Sequence, residues 1–470
     1  MSRWQENLYF TNLTMTPQQQ PKVTNEILRG NLIQLMLKLS IPGILGMLLI
    51  GLDTFFDALF AGQLIGETAL AAISLALPLT TIVTGCAHLV GVGSASVLSR
   101  AIGSGDIKTQ SKIFGNLVLM SVIISFFITI LGYSFGEELI AFMGGEGEIA
   151  SLGAEYFKTY MLGSVFYILA VASSQLIKSE GKIRLAMIFA GIFVTINIIL
   201  NPILISVFHW GIQGLAIATI IAMGVYTTVN CSYFLSGKSS IPVNPKKFAL
   251  AIDLLPAVLS VGISELLMQV MGVVQEVVIF KSIAHYGTDT DIAFVGATLR
   301  LYFLASLPVY GFVQALQPVI GMNYGAKNYD RLKKAYFTFT IGGTILLTLI
   351  WLPLQLSPET FLGWLLPNVT FTANDLLNFK IVNLLLPILP WGICSVTLFQ
   401  SLGNAKNAGL LIFLRSIFLV VPLVIFLSAF LGINGIYYGM VLADFLVLLI
   451  AVLLTWIEFK KLNLQFKQAK

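Results

Sequence analysis

Several ionisable and amide residues lie inside long apolar segments, where a charge is costly and therefore points to function. Asp53 and Asp57 are four residues apart, so a helix places both carboxylates on one face. As anions they repel each other, which eases the uptake of a proton by one of them. Asn197 and Asn201 show the same spacing, and their amides could ligate a cation or simply bond between helices. These residues predict a site for a proton or a small cation.

A second polar stripe occupies a later apolar segment. Glu265, Gln269 and Glu276 recur at steps of four and seven residues, which returns them to nearly one side of a helix. Arg300, in the segment that follows, is the expected counter-charge for either glutamate. The stripe predicts a cavity wall in which Glu265 and Glu276 couple to protons or cations and Gln269, with Arg300, contacts the substrate. The alternative is a static buried ion pair that fixes helix packing.

The remaining candidates are less specific. Met268 and Met271 adjoin the stripe and could line an adaptable substrate cavity, although methionines also serve as plain packing or face lipid. Arg415 and Asp444 are expected to form a structural ion pair between the last two apolar segments. The three histidines and three cysteines are scattered, so no metal site, disulfide framework or catalytic pair is predicted.

Composition defines the elements that must position these residues. Hydrophobic residues make up 57% of the 470 residues and charged residues 10%, against about 25% charged in a typical soluble domain. Soluble enzymes, nucleic-acid binders and disordered scaffolds are therefore excluded. Twelve stretches are long enough to cross a bilayer as helices, which predicts an all-α polytopic membrane protein. The predicted spans are 32–60, 69–99, 114–134, 152–177, 184–206, 213–236, 248–283, 292–321, 332–354, 379–402, 407–430 and 435–459.

The distribution of positive charge predicts the orientation. All but five of the 27 Lys and Arg residues fall on one side of the membrane if the amino terminus is cytosolic. Because positively charged loops stay in the cytosol, both termini are predicted to be cytoplasmic, with residues 1–31 and 460–470 as tails. Within the first tail, residues 6–10 (ENLYF) resemble part of a protease-cleavable tag, so residues 1–14 are either native or a remnant of such a tag.

The chain also resembles itself at a spacing of about 220 residues. Residues 91–95 (GVGSA) correspond to 311–315 (GFVQA), and Gly105 corresponds to Gly325. Because six spans separate the copies, both halves have the same orientation, as in transporters whose parallel halves rock around a bound substrate. The predicted domains are an amino lobe (32–236), an inter-lobe loop (237–247) and a carboxyl lobe (248–459).

Several short motifs occur in an order that resembles one transporter family. They are IP (41–42), FDALFAG (56–62), ALAAIS (69–74), SRAIGSGD (99–106), SEGK (179–182), INIILNP (196–202) and QPVIGMNYGA (317–326). Together they resemble the multidrug and toxic compound extrusion (MATE) transporters, and the bacterial branches with multidrug-resistance and DNA-damage-inducible members in particular. The resemblance implies two six-helix lobes that form a V around a central cavity. It also implies exchange of a cytosolic organic cation for protons or sodium.

The resemblance implies roles for several of these residues. Asp57, fifteen residues after Pro42, corresponds to the coupling carboxylate of the family's amino lobe, unless it lies near the outer helix end and is merely solvated. Pro42 is then the expected hinge of the first span. Glu265 lies close to an acidic position that some branches use in the carboxyl lobe. Asp53 is not part of the family pattern, so its role depends on its spacing from Asp57 alone.

The resemblance also implies a cation site in the amino lobe. Asn197, Asn201 and Thr219, together with Asp57, match its positions, and sodium could bind there. The family commonly has an aspartate at the position of Asn201. An amide contributes no charge, so protons are favoured over sodium as the coupling ion.

The sequence therefore predicts a secondary antiporter of the bacterial inner membrane that uses alternating access and no organic cofactor. Its substrates are expected to be amphipathic or cationic small molecules, it does not bind nucleic acid, and it acts as a monomer in the bilayer. The main alternative is a lipid or lipid-linked oligosaccharide flippase of the same superfamily, which would have a more basic cavity. A membrane-embedded enzyme would need a catalytic set, and a receptor would lack the two-lobe repeat.

Overall fold

The structure is a computed structural model that describes residues 22–245, 248–367 and 369–468. The tag-like stretch 6–10 lies outside these residues. All the regular elements described are helices, and eleven segments are long and apolar enough to span a membrane, or twelve if one bent pair is a single span. The predicted all-α polytopic fold is confirmed. The spans are α1 (Leu32–Phe60), α2 (Glu67–Ser104), α3 (Ile107–Ser134), α4 (Gly147–Leu162 with Ser164–Ser179), α5 (Ile183–Pro202), α6 (Gly211–Leu235), α7 (Leu255–Tyr286), α8 (Asp289–Gly325), α9 (Tyr329–Leu356), α10 (Ala373–Val382 with Leu389–Leu402), α11 (Ala405–Phe413 with Val420–Leu431) and α12 (Ile433–Gln468).

Short elements complete the chain and mark irregular points in the spans. One π-helical turn follows α1, a second follows α5, and a third joins the two parts of α11. A 3-10 turn lies between the two parts of α10. The turns are Ala61–Ile65, Ile203–Val207, Leu414–Leu419 and Leu386–Ile388, and the three short helices outside the spans are Lys22–Arg29, Gly136–Phe142 and Pro358–Leu365. π-Helical turns open the hydrogen-bond ladder and occur frequently at functional sites.

Some predicted span boundaries are wrong. The seventh span was expected from residue 248, but α7 begins at Leu255, with Pro256 in its first turn, where the missing N–H costs nothing. The fourth span is not straight, because its two helices meet at an angle of 58° across Gly163. The twelfth span was predicted to end at residue 459, but α12 continues to Gln468, and residues 460–468 contain no proline or glycine to stop the helix.

The predicted amino-terminal tail is also wrong in its last part. Residues Lys22–Arg29 form a helix whose Ile27 side chain is fully buried. Arg331, near the start of α9, donates hydrogen bonds to the carbonyl oxygens of Ile27 (3.0 Å) and Gly30 (2.6 Å). These bonds satisfy carbonyls at the end of a helix, which otherwise lack partners. The helix is therefore fixed to the protein.

The helices contact one another in a pattern that repeats. In the first half α1 packs on α5, and α2 packs on α4; in the second half α7 packs on α11, and α8 packs on α10. Between the halves, α1 contacts α8 and α2 contacts α7. Each pair corresponds to another pair six spans further along the chain. This is the arrangement that a duplicated six-span unit requires.

Two glycines allow the halves to approach closely. A Cβ atom on Gly43 in α1 would lie 2.3 Å from the carbonyl oxygen of Gly311 in α8. A Cβ atom on Gly262 in α7 would lie 2.0 Å from the carbonyl oxygen of Leu89 in α2. Both distances are shorter than any real contact, so only glycine fits. Both contacts lie in the first parts of α1 and α7, so the halves meet at the side that the sequence predicts to be cytosolic.

Candidate functional site

The first polar site lies between α1, α5 and α6. The Asn201 Nδ2 atom donates hydrogen bonds to Asp57 Oδ1 and to Asn197 Oδ1, both at 2.7 Å. The Asn197 Nδ2 atom then donates to Thr219 Oγ1 at 3.1 Å. Both asparagines are fully buried. The structure thus brings together the four residues that the resemblance assigned to one site, and we call this set the amide site.

Helix ends explain how the amide site forms. Asn201 precedes Pro202, where α5 passes into the π-helical turn Ile203–Val207. Asp57 lies one turn before the π-helical turn Ala61–Ile65 at the end of α1. Each turn widens its helix next to a polar side chain, as is common at functional sites. The amide site therefore lies where two spans depart from regular α-helix.

The carboxylates of this region have no cationic partner. Asp53 is buried, with 9% of its surface exposed, and its Oδ1 atom accepts no hydrogen bond from the residues described. Neither Asp53 nor Asp57 forms an ion pair with any residue in the described ranges. The two carboxylates are close enough to interact electrostatically, as their spacing predicts. The Asn201 Oδ1 atom is a further buried acceptor without a donor. A proton added to a carboxylate would supply the donor that this region lacks.

The orientation of the amides decides how well sodium fits. Sodium needs oxygen ligands, but Asn201 and Asn197 turn their nitrogen atoms towards Asp57 and Thr219. The amides would have to rotate before the four residues could present oxygen atoms together. No group of three or more His, Cys, Asp or Glu residues that could hold a metal ion occurs in the part of the chain described.

The second polar site is a cavity of about 990 Å³ between the halves. It is lined by side chains from both halves, and many of them are apolar. Of the predicted cavity residues, Glu265, Met268, Gln269 and Glu276 line it. Met271 does not, because it is buried among the helices instead, and that prediction is wrong. The amide site is not part of this lining.

Glu265 has different partners from those predicted. The Gln400 Nε2 atom of α10 donates to Glu265 Oε1 at 2.6 Å, and the His88 Nδ1 atom of α2 lies 3.8 Å from Glu265 Oε2. Arg300 forms no ion pair with either glutamate in the described ranges, and its exposed side chain does not line the cavity. The helices α7 and α8 are antiparallel, and measured from the turn between them Glu265 lies about ten residues deeper than Arg300, or about 15 Å at 1.5 Å per residue. Glu276 lies at nearly the same depth as Arg300, but Glu276 lines the cavity and Arg300 does not. The predicted counter-charge is therefore wrong for both glutamates.

One basic residue of the cavity does not follow from the sequence pattern. Lys178 lies at the end of α4 and was assigned to the cytosolic charge that sets orientation. Its Nζ atom instead lies in the cavity wall and donates a hydrogen bond to Gln314 Oε1 of α8 at 2.9 Å. Its spacing of three residues from Gln175, about one helical turn, was the signal that could have identified it. His88 and Gln400 gave no comparable signal.

A compensated ion pair completes the cavity wall. The Arg415 Nε atom of α11 donates to Asp444 Oδ1 of α12 at 2.8 Å, as the sequence predicts. Arg415 lies in the π-helical turn Leu414–Leu419. The side chains are 37% and 22% exposed, which places the pair at the surface of the cavity. The two charges cancel, so the pair adds no net charge to the wall.

Comparisons with known proteins agree with this architecture. The MatE family profile matches residues 42–203 and 261–426. The multidrug export protein MepA of Staphylococcus aureus (strain MRSA252) is 24% identical over 424 residues, which cover 90% of this chain and 93% of that protein. The multidrug export protein MepA of Staphylococcus haemolyticus (strain JCSC1435) is 23% identical over 417 residues, which cover 88% of this chain and 91% of that protein.

Solved structures show the same fold. One is an outward-facing conformation of a multidrug resistance MATE family transporter of the MOP superfamily, with a TM-score of 0.87 and 22% identity. Another is a crystal structure of MATE in the bent conformation, with a TM-score of 0.89 and 23% identity. In both cases the match covers 95% of this chain and 99% of the solved chain.

Proposed function

The chain belongs to the MatE family, whose members are transporters and not enzymes, and on this premise we propose that it exports amphipathic organic cations in exchange for protons. The proteins named MepA that it resembles over most of its length are multidrug export proteins. The cavity between the halves has the size and mainly apolar lining of a site for a drug-sized molecule, with Glu265 to attract positive charge.

The observation that carries proton coupling is the partner set of Asp57. Its carboxylate accepts a hydrogen bond from a neutral amide, Asn201, and has no cation beside it in the residues described. A carboxylate of this kind can gain or lose a proton without leaving an unpaired buried cation behind. Asp53, close by and without a donor on its Oδ1 atom, supports the same proposal.

The proposed mechanism connects the two sites through α1. Protonation of Asp57 weakens its acceptor role towards Asn201 and so alters the packing of α1 on α5. The same helix carries Pro42, the proposed hinge, and Gly43, which contacts Gly311 in the other half. A change in α1 therefore reaches the contact that holds the halves together. Export follows if the two conformations differ in affinity for substrate and for the proton.

The test is transport into proteoliposomes of purified protein. We expect an imposed proton gradient to drive uptake of a fluorescent organic cation, and a sodium gradient of the same size to drive none. An Asp57→Asn variant should lose the response to the proton gradient. The control is Asn230→Ala, which changes a buried amide of α6 outside the amide site and should keep the response. Uptake driven by sodium alone would overturn proton coupling.

We also propose that the protein lies in a bacterial inner membrane as a monomer, with both termini in the cytoplasm and lobes 32–236 and 248–459 as its moving units. The segregation of Lys and Arg to one side supports this orientation. Labelling of single cysteines by a membrane-impermeant maleimide tests it. A cysteine at Lys238 should be protected in intact cells and a cysteine at Glu138 should react; the reverse result would overturn the orientation.

A further inference from the structure

We infer that the cavity contains an anion subsite at Lys178, so that its ligand is a zwitterionic amphiphile with its negative group at Lys178 and its positive group at Glu265. This inference depends on the proposed function only in that the cavity is the substrate site. It changes the expected substrate from a simple organic cation to a molecule that carries both charges.

Lys178 is a cation inside the protein without a counter-ion. Its Nζ atom donates to the neutral Gln314 Oε1 at 2.9 Å, and it forms no ion pair within the described ranges. An ammonium has three donors, so two remain for a ligand. A charged residue within a span, facing a cavity and lacking a partner, indicates function by default.

Glu265 provides the opposite charge in the same cavity. Its carboxylate accepts from Gln400, which is neutral, and the nearest cationic candidate is His88 at 3.8 Å. His88 lines the same cavity as Lys178 and Glu265. Lys178 comes from the first half and Glu265 from the second. A ligand with two charges would therefore bridge the halves.

The other charges of the cavity do not disturb this arrangement. Arg415 and Asp444 neutralise each other at 2.8 Å. Glu276 and Lys281 carry opposite charges and lie eleven and sixteen residues after Glu265, about 16 Å or more further along α7. Among the described lining residues, Lys178 therefore has no charged partner, and Glu265 has only His88, at 3.8 Å. A ligand with only a cation would leave Lys178 uncompensated.

The test uses two dyes that differ only in the negative group. Rhodamine 110 carries a benzoate and a delocalised cation, and rhodamine 123 is its methyl ester and carries the cation alone. Binding to purified protein is measured by fluorescence anisotropy at equilibrium, without any ion gradient. Lys178→Met should weaken binding of rhodamine 110 about tenfold or more, which is the effect of one charge-assisted hydrogen bond. Binding of rhodamine 123 should be unchanged or tighter.

Three control variants separate the subsite from general damage. Lys178→Arg keeps the positive charge and should retain the preference for rhodamine 110. Gln314→Leu removes the neutral partner and should leave that preference in place. Glu265→Gln should weaken both dyes, because both carry the cation. The subsite would be overturned if Lys178→Met left the ratio of the two dye affinities unchanged. It would also be overturned if the wild-type protein failed to bind rhodamine 110. Proton coupling is measured separately, by gradient-driven uptake, so either proposal can fail alone.

Discussion

The amide site and the Arg415–Asp444 pair lie on corresponding helices of the two halves, at different positions along them. The first lies between α1, α5 and α6, and the second joins α11 and α12, which correspond to α5 and α6 six spans later. Each lies beside a π-helical turn, Ile203–Val207 in the first half and Leu414–Leu419 in the second. In the first half a carboxylate is bonded to a neutral amide, and in the second a carboxylate is bonded to a guanidinium.

The difference decides which half can change its charge. A carboxylate paired with arginine stays ionised, because neutralising it would leave the cation unpaired and partly buried. A carboxylate bonded to amides can exist in either state at a smaller cost. The first half therefore has a buried carboxylate bonded to a neutral amide, and the second half has a carboxylate compensated by a cation.

The strongest consequence concerns Asp57. We expect Asp57→Asn to reduce proton-driven transport at least tenfold, because no other group in the amide site can titrate. Gradient-driven uptake in proteoliposomes measures it, with Asp444→Asn as the matched change of an aspartate in the second half. Proton-driven transport that survives in Asp57→Asn but disappears in Asp444→Asn would reverse the roles of the two halves.

The second consequence concerns stability. Asp444→Asn should lower the free energy of unfolding by about 1–3 kcal/mol, because Arg415 loses its counter-charge at a partly exposed position. The double variant Arg415→Met with Asp444→Leu should recover most of that loss, since neither charge remains. Denaturation of the purified protein, followed by tryptophan fluorescence, measures both. No recovery in the double variant would show that the pair has a role beyond mutual compensation.

A third consequence concerns the choice of ion. Asn201→Asp would add a second carboxylate beside Asp57, which increases the attraction for a metal cation and supplies oxygen ligands in place of an amide nitrogen. We expect sodium to stimulate transport severalfold in this variant and not in the wild-type protein. Asn197→Asp provides a matched change one turn away. A sodium response in the wild-type protein would contradict the proposed preference for protons.

The smallest effect is expected for an ion pair at the surface. The hydrogen bond from Lys112 at 2.8 Å lowers the pKa of the Asp253 carboxyl. A lowered pKa in the folded state stabilises the protein above the ordinary aspartate value near pH 4, and this contribution is lost as the pH falls through the lowered pKa. Because the Asp253 side chain is 57% exposed, against 22% for Asp444, Asp253→Asn should shift the melting temperature at pH 7 by no more than about one degree. A shift as large as that of Asp444→Asn would remove the distinction between exposed and partly buried pairs.

The sequence predicted the amide site better than the cavity. Asp57, Asn197 and Asn201 occur in motifs whose order indicated their relation to one another, and the four-residue spacing placed the two asparagines on one side of α5. Thr219 was assigned to the same site by the family resemblance. The pairing of Arg415 with Asp444 followed from opposite charges in consecutive spans. These predictions depended on spacing within a helix or between adjacent helices, which a sequence shows directly.

The partners of the cavity residues could not be predicted from spacing along the sequence. Arg300 was expected beside Glu265 because the two are in neighbouring spans, but their depths differ in antiparallel helices. Lys178 was grouped with loop lysines because α4 was expected to end at residue 177, whereas it ends at Ser179. The contact between His88 and Glu265 joins helices from different halves. Depth, rotation and the contacts between halves had to come from the structure.

The most direct measurement is proton release on substrate binding. Purified protein in weakly buffered detergent solution is mixed with an amphipathic cation, and a pH-sensitive dye reports the protons released. If the Asp57 carboxylate exchanges its proton for substrate, the wild-type protein should release about one proton for each bound molecule, Asp57→Asn should release none, and Arg415→Met with Asp444→Leu should match the wild type. Full proton release by Asp57→Asn with intact substrate binding would contradict the coupling role of this carboxylate.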